Sequence, residues 1–201
     1  NWLELLVAHV DMKEKKAIVM PGNDDEKVID PIIKSYEDRG IIYPLEKAVN
    51  LCYDFEMISL DYANPTPWNT PRECSEDELK KMIDNRFQKV KDYSKTICNF
   101  HCPPFGTQLD LAKKLDKYLR PVLMLGNPVF IHVGSKSVEE AIRKYQPMMG
   151  LHGHIHESFA SDKIGNTIVV NPGSEYTEAL LRGFIIEFSE RGVDKYWKVE
   201  G

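Results

Sequence analysis

The chain has 201 residues, of which 42% are hydrophobic and 28% are charged, and its formal net charge is -5. This length and composition predict a single domain with a substantial buried core, and they exclude an intrinsically disordered chain. The mildly acidic balance argues against broad electrostatic binding of nucleic acid, whereas a small phosphorylated substrate is compatible with it.

In the first half of the chain, the spacing of apolar residues predicts a helix over 1–16 and a short strand over 16–20, followed by a turn at PGNDD. Asp25 is predicted to cap a helix that runs to about Asp38 and stops at Gly40. Short strands are predicted within 41–45 and 48–60. The proline-rich segment Asn64–Arg72 is predicted to be a long ordered loop that forms either a wall of the site or an oligomer contact.

In the second half, Ser75 and Glu78 form a capping-box pattern ahead of apolar residues at helical spacing, and Ser137 with Glu140 forms a second such pattern. The remaining predicted elements are a strand over 95–100 that ends at His101, a helix over 109–119, strands over 128–133 and 167–171, and a final hairpin that turns across Glu190–Gly192. Strands and helices alternate, which predicts a layered α/β fold with a mixed sheet.

The four cysteines, Cys52, Cys74, Cys98 and Cys102, form no CxxC pair. They predict a reduced, cytoplasmic location rather than a disulfide scaffold. Because Cys98 and Cys102 lack a second pair of zinc ligands, we interpret them as core residues. The sequence contains neither a bilayer-spanning apolar run nor a secretory signal, so no membrane partner is expected.

Polar motifs follow four of the predicted strands: GNDD at 22–25, NFH at 99–101, GHIH at 153–156 and NPGS at 171–174. The ends of neighbouring strands meet at one edge of a sheet, so these motifs are expected to converge. Imidazole nitrogens together with an amide oxygen suit Mn, Fe, Zn or Ni better than Ca. In an extended segment, His154 and His156 would point to the same side. The alternative is a polar turn with solvated histidines, and the upstream His101 and Asn23 favour the metal site.

GNDD, NFH and GHIH, in this order, resemble the later motifs of the calcineurin-like metallophosphoesterase family, and the resemblance extends from about Lys16 to the end of the chain. It implies a four-layer α/β/β/α sandwich, with residues 1–201 forming the C-terminal major part of one domain. It also implies two divalent ions, with Mn, Fe, Ni and Zn as candidates. Asn23, His101 and His154 would bind one ion, and His156 would bind the other.

The same resemblance implies hydrolysis of a phosphodiester or phosphomonoester by a hydroxide that bridges two ions about 3.5–4 Å apart. Asn23, Asp24 and His101 are the residues it places at the catalytic centre. A small phosphorylated molecule is the expected partner, and a homo-oligomer is compatible with the sequence. The alternative is a non-catalytic scaffold of the same fold that binds protein partners.

The sequence departs from the family pattern in two ways. The DxH and GD motifs, which carry further metal ligands in the family, do not occur in it. We expect them upstream, because residues 1–16 resemble the helix that separates GD from GN; natural loss of metal binding is the alternative. Asp24 stands where the family has a histidine, which predicts weak general-acid catalysis and a preference for good leaving groups.

Two further histidines are left with two interpretations each, and Ser135 is a candidate for substrate binding. His132 either lines the substrate pocket or is a strand-end histidine bonded to the backbone. Ser135, with Gly134, offers backbone N–H groups that suit a phosphate. His152 either supports the metal ligands or belongs to the core. Asn171 and Ser174 are predicted to shape the turn behind the site.

Overall fold

The computed structural model describes residues 2–201, except for the side chain of Tyr176. Asn1, with which the first predicted helix begins, lies outside this range. The helices are α1 (Trp2–His9), α2 (Ile29–Lys34), α3 (Glu76–Phe87) and α4 (Lys136–Tyr145), with short 3-10 turns at Glu37–Arg39, Tyr93–Lys95 and Tyr176–Glu178. The strands are β1 (Ala17–Ile18), β2 (Ile41–Ile42), β3 (Val49–Asn50), β4 (Glu56–Leu60), β5 (Thr96–Phe100), β6 (Leu111–Lys113), β7 (Leu123–Met124), β8 (Asn127–Pro128), β9 (Phe130–His132), β10 (Met149–Leu151), β11 (Ala160–Ile164), β12 (Thr167–Asn171), β13 (Arg182–Ser189) and β14 (Gly192–Glu200).

A mixed six-stranded sheet forms the centre of the fold, in the order β11-β12-β10-β5-β4-β3. Its four inner strands are parallel, and the edge strands β11 and β3 run antiparallel to their neighbours. The carboxyl ends of β4, β5, β10 and β12 therefore lie along one edge. The segments that follow these strands, including His101 and the GHIH motif, emerge at that edge.

The two faces of this sheet are covered by different layers. On one face, Ile58, Cys98 and Val169 pack against Leu79 and Ile142 of the helices α3 and α4. On the other face, the alternate residues of the same strands contact the β1–β2 pair and the β13–β14 hairpin; these core residues are Val49, Met57, Ile97, Met149 and Val170. A further apolar cluster joins α1 and α2 to the β1–β2 region. The architecture is thus mixed α/β, and two separate two-stranded sheets lie on the second face.

The two predicted capping boxes have different outcomes. The Ser75 hydroxyl accepts a hydrogen bond from the Glu78 backbone, and the Glu78 carboxylate accepts one from the Ser75 backbone, so the first box is confirmed. The helix α4 instead begins two residues before its predicted start, with Ser135 as the N-cap. The Ser137 hydroxyl donates to the Glu76 carbonyl, which ties the start of α4 to the start of α3.

Two predicted helices in the first half of the chain are shorter than expected. The first helix ends at His9 instead of Lys16. The second begins only at Ile29, and Asp25 does not cap it because the Asp25 carboxylate accepts a hydrogen bond from the Gly22 N–H. Gly40 does end this region in the left-handed conformation, as predicted.

The helix predicted over 109–119 is wrong, because this segment forms β6 and an adjoining turn. Its leucines recur at helical spacing, but its backbone pairs with β9. At its start, the buried Asp110 carboxylate accepts N–H groups from Gly106, Thr107 and Gly134, which holds a non-helical turn. Residues 111–132 therefore form a ribbon built from the β6–β9 and β7–β8 pairs.

Within residues 2–201, none of the helices combines the length and the apolar character that crossing a membrane requires.

Candidate metal centre

The sheet topology brings His101 and the GHIH motif side by side. His101 directly follows β5, and GHIH follows β10, which is the parallel neighbour of β5. The Gly153 N–H donates to the His101 carbonyl across 2.9 Å, which fixes the two segments to each other. Asn23 reaches the same place from the turn after β1, and its side chain is buried.

Two imidazole rings converge on the side-chain oxygen of Asn23. Its Oδ1 atom lies 2.8 Å from Nε2 of His101 and 2.9 Å from Nδ1 of His154. The centroids of the two rings are 5.3 Å apart, and the ring planes are inclined at 67°. One amide oxygen and two imidazole nitrogens thus face one another, which is a ligand combination suited to Mn, Fe, Ni or Zn.

A chain of hydrogen bonds determines which way the Asn23 amide faces. Its nitrogen donates to the Thr70 hydroxyl across 2.8 Å, and that hydroxyl donates to Glu73 across 2.6 Å. Burial by itself would raise the pKa of the Glu73 carboxyl, but the hydrogen bonds that Thr66 and Thr70 donate to it outweigh burial and lower the pKa to about 2. Glu73 is therefore an acceptor at neutral pH, and the Asn23 oxygen is left to face the histidines.

The backbone at His154 is not extended, so the prediction that alternation aligns His154 with His156 is wrong. The φ angle of His154 is 67°, and the Ile155 N–H donates to the Gly153 carbonyl across 2.7 Å, which closes a three-residue γ-turn. A non-glycine residue in this region is strained, and such strain persists only where the surroundings impose it. The Nδ1 atom of His154 is directed at Asn23 as a result of this turn.

Asn171 imposes this turn, which confirms its predicted role. Its fully buried amide nitrogen lies within 3.1 Å of the carbonyl oxygens of Leu109, Gly153 and Ile155. The Ser174 N–H donates to the His156 carbonyl, so the NPGS motif supports the GHIH segment from behind.

Both clustered rings are held neutral by their surroundings. Burial lowers the pKa of His101 to about 3, and the neighbouring histidines add to the effect. Burial also lowers the pKa of His154, although the carboxylates of Asp24 and Glu73 oppose it. Neutral imidazole is the form that binds a cation. In this arrangement Nε2 of His101 and Nδ1 of His154 donate to the Asn23 oxygen, and each nitrogen would bind a cation in the other tautomer of its ring. Gly22 allows the His101 ring to sit where it does, because a Cβ atom at that position would lie 2.7 Å from Cε1 of the ring.

Arg72, to which no sequence motif pointed, anchors the GND turn. Its guanidinium is 2% exposed and forms ion pairs with Asp61 across 2.5 Å and with Asp30 across 2.8 Å. It also donates to the Asp25 carbonyl, and its backbone N–H donates to the Asn23 carbonyl. A buried arginine needs such partners. The available signal was a lone arginine at the end of a loop, and sequence does not reveal its burial.

A cleft of about 710 Å³ opens beside the cluster. It is lined by Asn23, Asp24, His154 and His156, and by residues of the proline-rich loop, namely Pro65, Thr66, Pro67 and Trp68. The loop predicted over 64–72 thus forms part of the wall of the candidate site. His156 is exposed in this cleft, and the Asp24 carboxylate lies 3.3 Å from the amide nitrogen of Asn23.

His132 and Ser135 do not lie among the residues that line this cleft. The His132 ring binds the buried Asp110 carboxylate across 2.7 Å. The Ser135 side chain is fully buried, and its N–H donates to the Pro103 carbonyl; the Gly134 N–H donates to Asp110. Because both N–H groups already have protein acceptors, the prediction that they bind phosphate is wrong.

His152 belongs to the core but contacts the backbone on both sides of His101. Its Nδ1 atom lies 2.9 Å and 3.0 Å from the carbonyl oxygens of Phe100 and Cys102, which flank His101, and burial lowers its pKa to about 4. Cys98 and Cys102 are fully buried free thiols, as predicted for core cysteines. Among the described residues, no three His, Cys, Asp or Glu side chains gather around a common point for an ion, and the third member of the cluster is the Asn23 amide.

No family model matches the chain. The chain is 33% identical over 159 residues to the uncharacterized protein MJ1162 of Methanocaldococcus jannaschii, and the alignment covers 78% of this chain and 63% of that protein. The chain thus spans less than two thirds of the length of this relative.

Two solved structures resemble the fold. One crystal structure aligns with a TM-score of 0.59 at 20% identity, over 89% of this chain and 65% of its own. The crystal structure of TT1561 of Thermus thermophilus aligns with a TM-score of 0.51 at 15% identity, over 82% of this chain and 65% of its own. At these identities the similarity concerns the fold alone.

Proposed function

We propose that this chain forms the major part of a metal-dependent phosphoesterase domain of the calcineurin-like type. The observation that carries the proposal is the convergence of His101 and His154, from two neighbouring strand ends, on the Oδ1 atom of Asn23. Together with the GND, NFH and GHIH motifs, this arrangement supports the domain assignment and the four-layer sandwich that it entails.

The residues fit one ion directly. Asn23 Oδ1, His101 Nε2 and His154 Nδ1 would hold it, and His156, exposed in the same cleft, would contribute to a second ion. The second ion requires further ligands that residues 1–201 do not supply. The ions would supply Lewis acidity and an activated water for attack on phosphorus. We also propose that the whole protein is a phosphoesterase, that it acts on a small phosphorylated substrate and that it is cytoplasmic.

The residues of this chain then have distinct tasks. The buried side of the centre, formed by Asn23 and His101, keeps its ligands neutral and oriented. The exposed side faces the cleft, where a phosphoester would approach His154 and His156. Asp24, beside Asn23, is the carboxyl group nearest to the amide of the centre and would contribute weakly as an acid to departure of the leaving group.

The test uses the natural gene product that contains this chain, depleted of metal and then supplied with Mn, Ni or Zn. We expect hydrolysis of bis-p-nitrophenyl phosphate, and a fall of at least about 100-fold when His101 or His154 is replaced by alanine. His9→Ala, at an exposed position on α1, is the control variant. Absence of both hydrolysis and stoichiometric metal binding would refute the proposal and favour the scaffold alternative.

A further inference from the structure

We propose that the cleft binds an aromatic group of the substrate, next to the reacting phosphoester, with the indole of Trp68 as the surface on which that group stacks. This inference rests on the proposed function, because the phosphoester would be held at the Asn23, His101 and His154 cluster. It adds the substrate class: esters of phosphate that carry a planar ring on the arm retained in the product.

The composition of the cleft indicates an apolar ligand group. Most of its lining is apolar and comes from the proline-rich loop, from the ribbon over 111–132 with the next residue, and from one residue of the GHIH motif. These apolar residues are Pro65, Pro67, Trp68, Ala112, Leu115, Leu119, Pro121, Ile131, Val133 and Ile155. The volume of about 710 Å³ falls within the range typical of small-molecule sites. An apolar cleft that continues to a polar cluster is suited to a ligand with one charged end and one apolar end.

The charges of the lining oppose a highly charged ligand. Lys113 is the basic side chain among the lining residues, whereas Asp24 and Glu157 are acidic. A polyphosphate or a nucleic-acid backbone would meet this acidic balance without the arginine and lysine contacts that it needs. A phosphodiester with a single negative charge and an uncharged ring avoids that conflict.

Trp68 presents a large and pre-positioned aromatic surface. Its side chain is 60% exposed, and that of Leu119 on the ribbon is 47% exposed. The backbone N–H of Trp68 donates to the Thr66 hydroxyl, and that hydroxyl donates to the Glu73 carboxylate across 2.5 Å. Glu73 therefore anchors both the loop that carries Trp68 and, through Thr70, the Asn23 amide. The loop backbone at Trp68 is thus anchored, and its exposed indole lines the cleft together with Pro65 and Pro67, which favours a flat group over a flexible alkyl chain.

The test varies only the retained arm of the ester. Three p-nitrophenyl diesters share the same leaving group and carry a methyl, a cyclohexyl or a phenyl group on the other arm. We expect kcat/KM for the phenyl ester to exceed that for the methyl ester about tenfold, with the cyclohexyl ester between them, since stacking on an aromatic side chain contributes roughly this much. Trp68→Ala should lower kcat/KM for the phenyl ester to about the value that the same variant shows for the methyl ester, which abolishes the preference, whereas Trp68→Phe should retain most of it. Trp2→Ala, which removes an exposed indole from α1, is the matched control.

A binding measurement separates the two proposals. Calorimetry with phenylphosphonate and methylphosphonate should give about tenfold tighter binding of the phenyl compound, and Trp68→Ala should remove that difference. Hydrolysis without any preference for the phenyl arm, and equal binding of the two phosphonates, would overturn this inference and leave the phosphoesterase proposal intact. Preferential binding that depends on Trp68, without hydrolysis of any ester, would support the aromatic site and overturn the phosphoesterase.

Discussion

The side-chain nitrogen of Asn23 donates a hydrogen bond to the Thr70 hydroxyl across 2.8 Å, although the two residues are 47 positions apart in the chain. Because Thr70 donates its own proton to Glu73, its hydroxyl has to act as the acceptor for Asn23. The amide oxygen of Asn23 is thereby held toward His101 and His154. The orientation of the Asn23 amide thus depends on the proline-rich loop.

Replacing Thr70 by valine removes this support with little change in volume. We expect the affinity for Mn or Zn to fall about 10–100-fold, which is the usual effect of losing a group that orients a ligand. Thr66→Val is the control, because it also removes a hydrogen bond to Glu73 but does not contact Asn23. Metal competition with a chromophoric chelator measures the effect, and equal losses in both variants would contradict this explanation.

Glu73 gives the stability a defined dependence on pH. Its folded-state pKa, about 2, lies below its ordinary value of 4.5, so the carboxylate stabilises the folded protein above pH 4.5. This contribution is lost progressively as the pH falls from 4.5 toward 2. We expect Glu73→Gln to be less stable than the parent at pH 7, and the difference in the free energy of unfolding to shrink as the pH falls through that window. Urea titrations at several pH values measure it, and a difference that does not change with pH would contradict the assignment.

Arg72 is expected to be essential for stability. Arg72→Met keeps much of the volume but leaves Asp61 and Asp30 without their cation, which costs about 3–5 kcal/mol when a buried pair is broken. Arg143→Met, which removes an exposed ion pair with Glu139 on α4, should cost less than about 1 kcal/mol. Chemical denaturation compares the two variants, and similar losses would show that the Arg72 ion pairs contribute no more than surface pairs.

Asn171→Leu tests whether the strained turn at His154 is held by the Asn171 amide. The substitution leaves the buried carbonyls of Gly153 and Ile155 without this donor, and we expect a loss of about 2–3 kcal/mol in the free energy of unfolding. Metal affinity should fall as well, since the His154 ring would lose its fixed direction. Asn127→Leu, at an exposed position on β8, is the control. Stability loss with unchanged metal affinity would show that the turn is held by other contacts.

Asp24→His tests the prediction that Asp24 is a weak general acid. A histidine at this position should protonate the leaving group more effectively than a carboxylate close to cations. We expect the rate of ester hydrolysis to depend less steeply on the pKa of the leaving group in this variant than in the parent. If the dependence of the rate on leaving-group pKa, measured across a series of substituted phenyl esters, is the same in the variant and the parent, Asp24 does not limit acid catalysis.

Some features could be predicted from sequence because they are local or periodic. The α3 helix has its capping box at Ser75, and β5 and β12 are short apolar runs that lie where the sequence predicted them. The helix predicted over 109–119 is wrong because the leucines of this segment recur at helical spacing although the segment is not helical. The hydrogen bonds of the buried Asp110 carboxylate and the pairing with β9 determine its backbone conformation. Burial of a charged group and pairing across distant segments leave no periodic signal.

The resemblance of the GND, NFH and GHIH motifs to the calcineurin-like family selected Asn23, His101 and His154 as a set. The parallel strands β5 and β10 explain why His101 and His154 meet at one sheet edge, whereas Asn23 comes from the turn after β1, outside that sheet. Tertiary structure alone decided how these residues meet. Contacts between segments far apart in the chain hold the γ-turn at His154 through the Asn171 amide. Such contacts also orient Asn23 through Thr70 and Glu73, and they bury Arg72 beside Asp61. The tertiary structure also places Ser135 outside the site. Its hydroxyl caps α4, and its N–H donates to the Pro103 carbonyl. A sequence therefore determines which groups reach an edge, and packing determines which of their atoms are directed at one another.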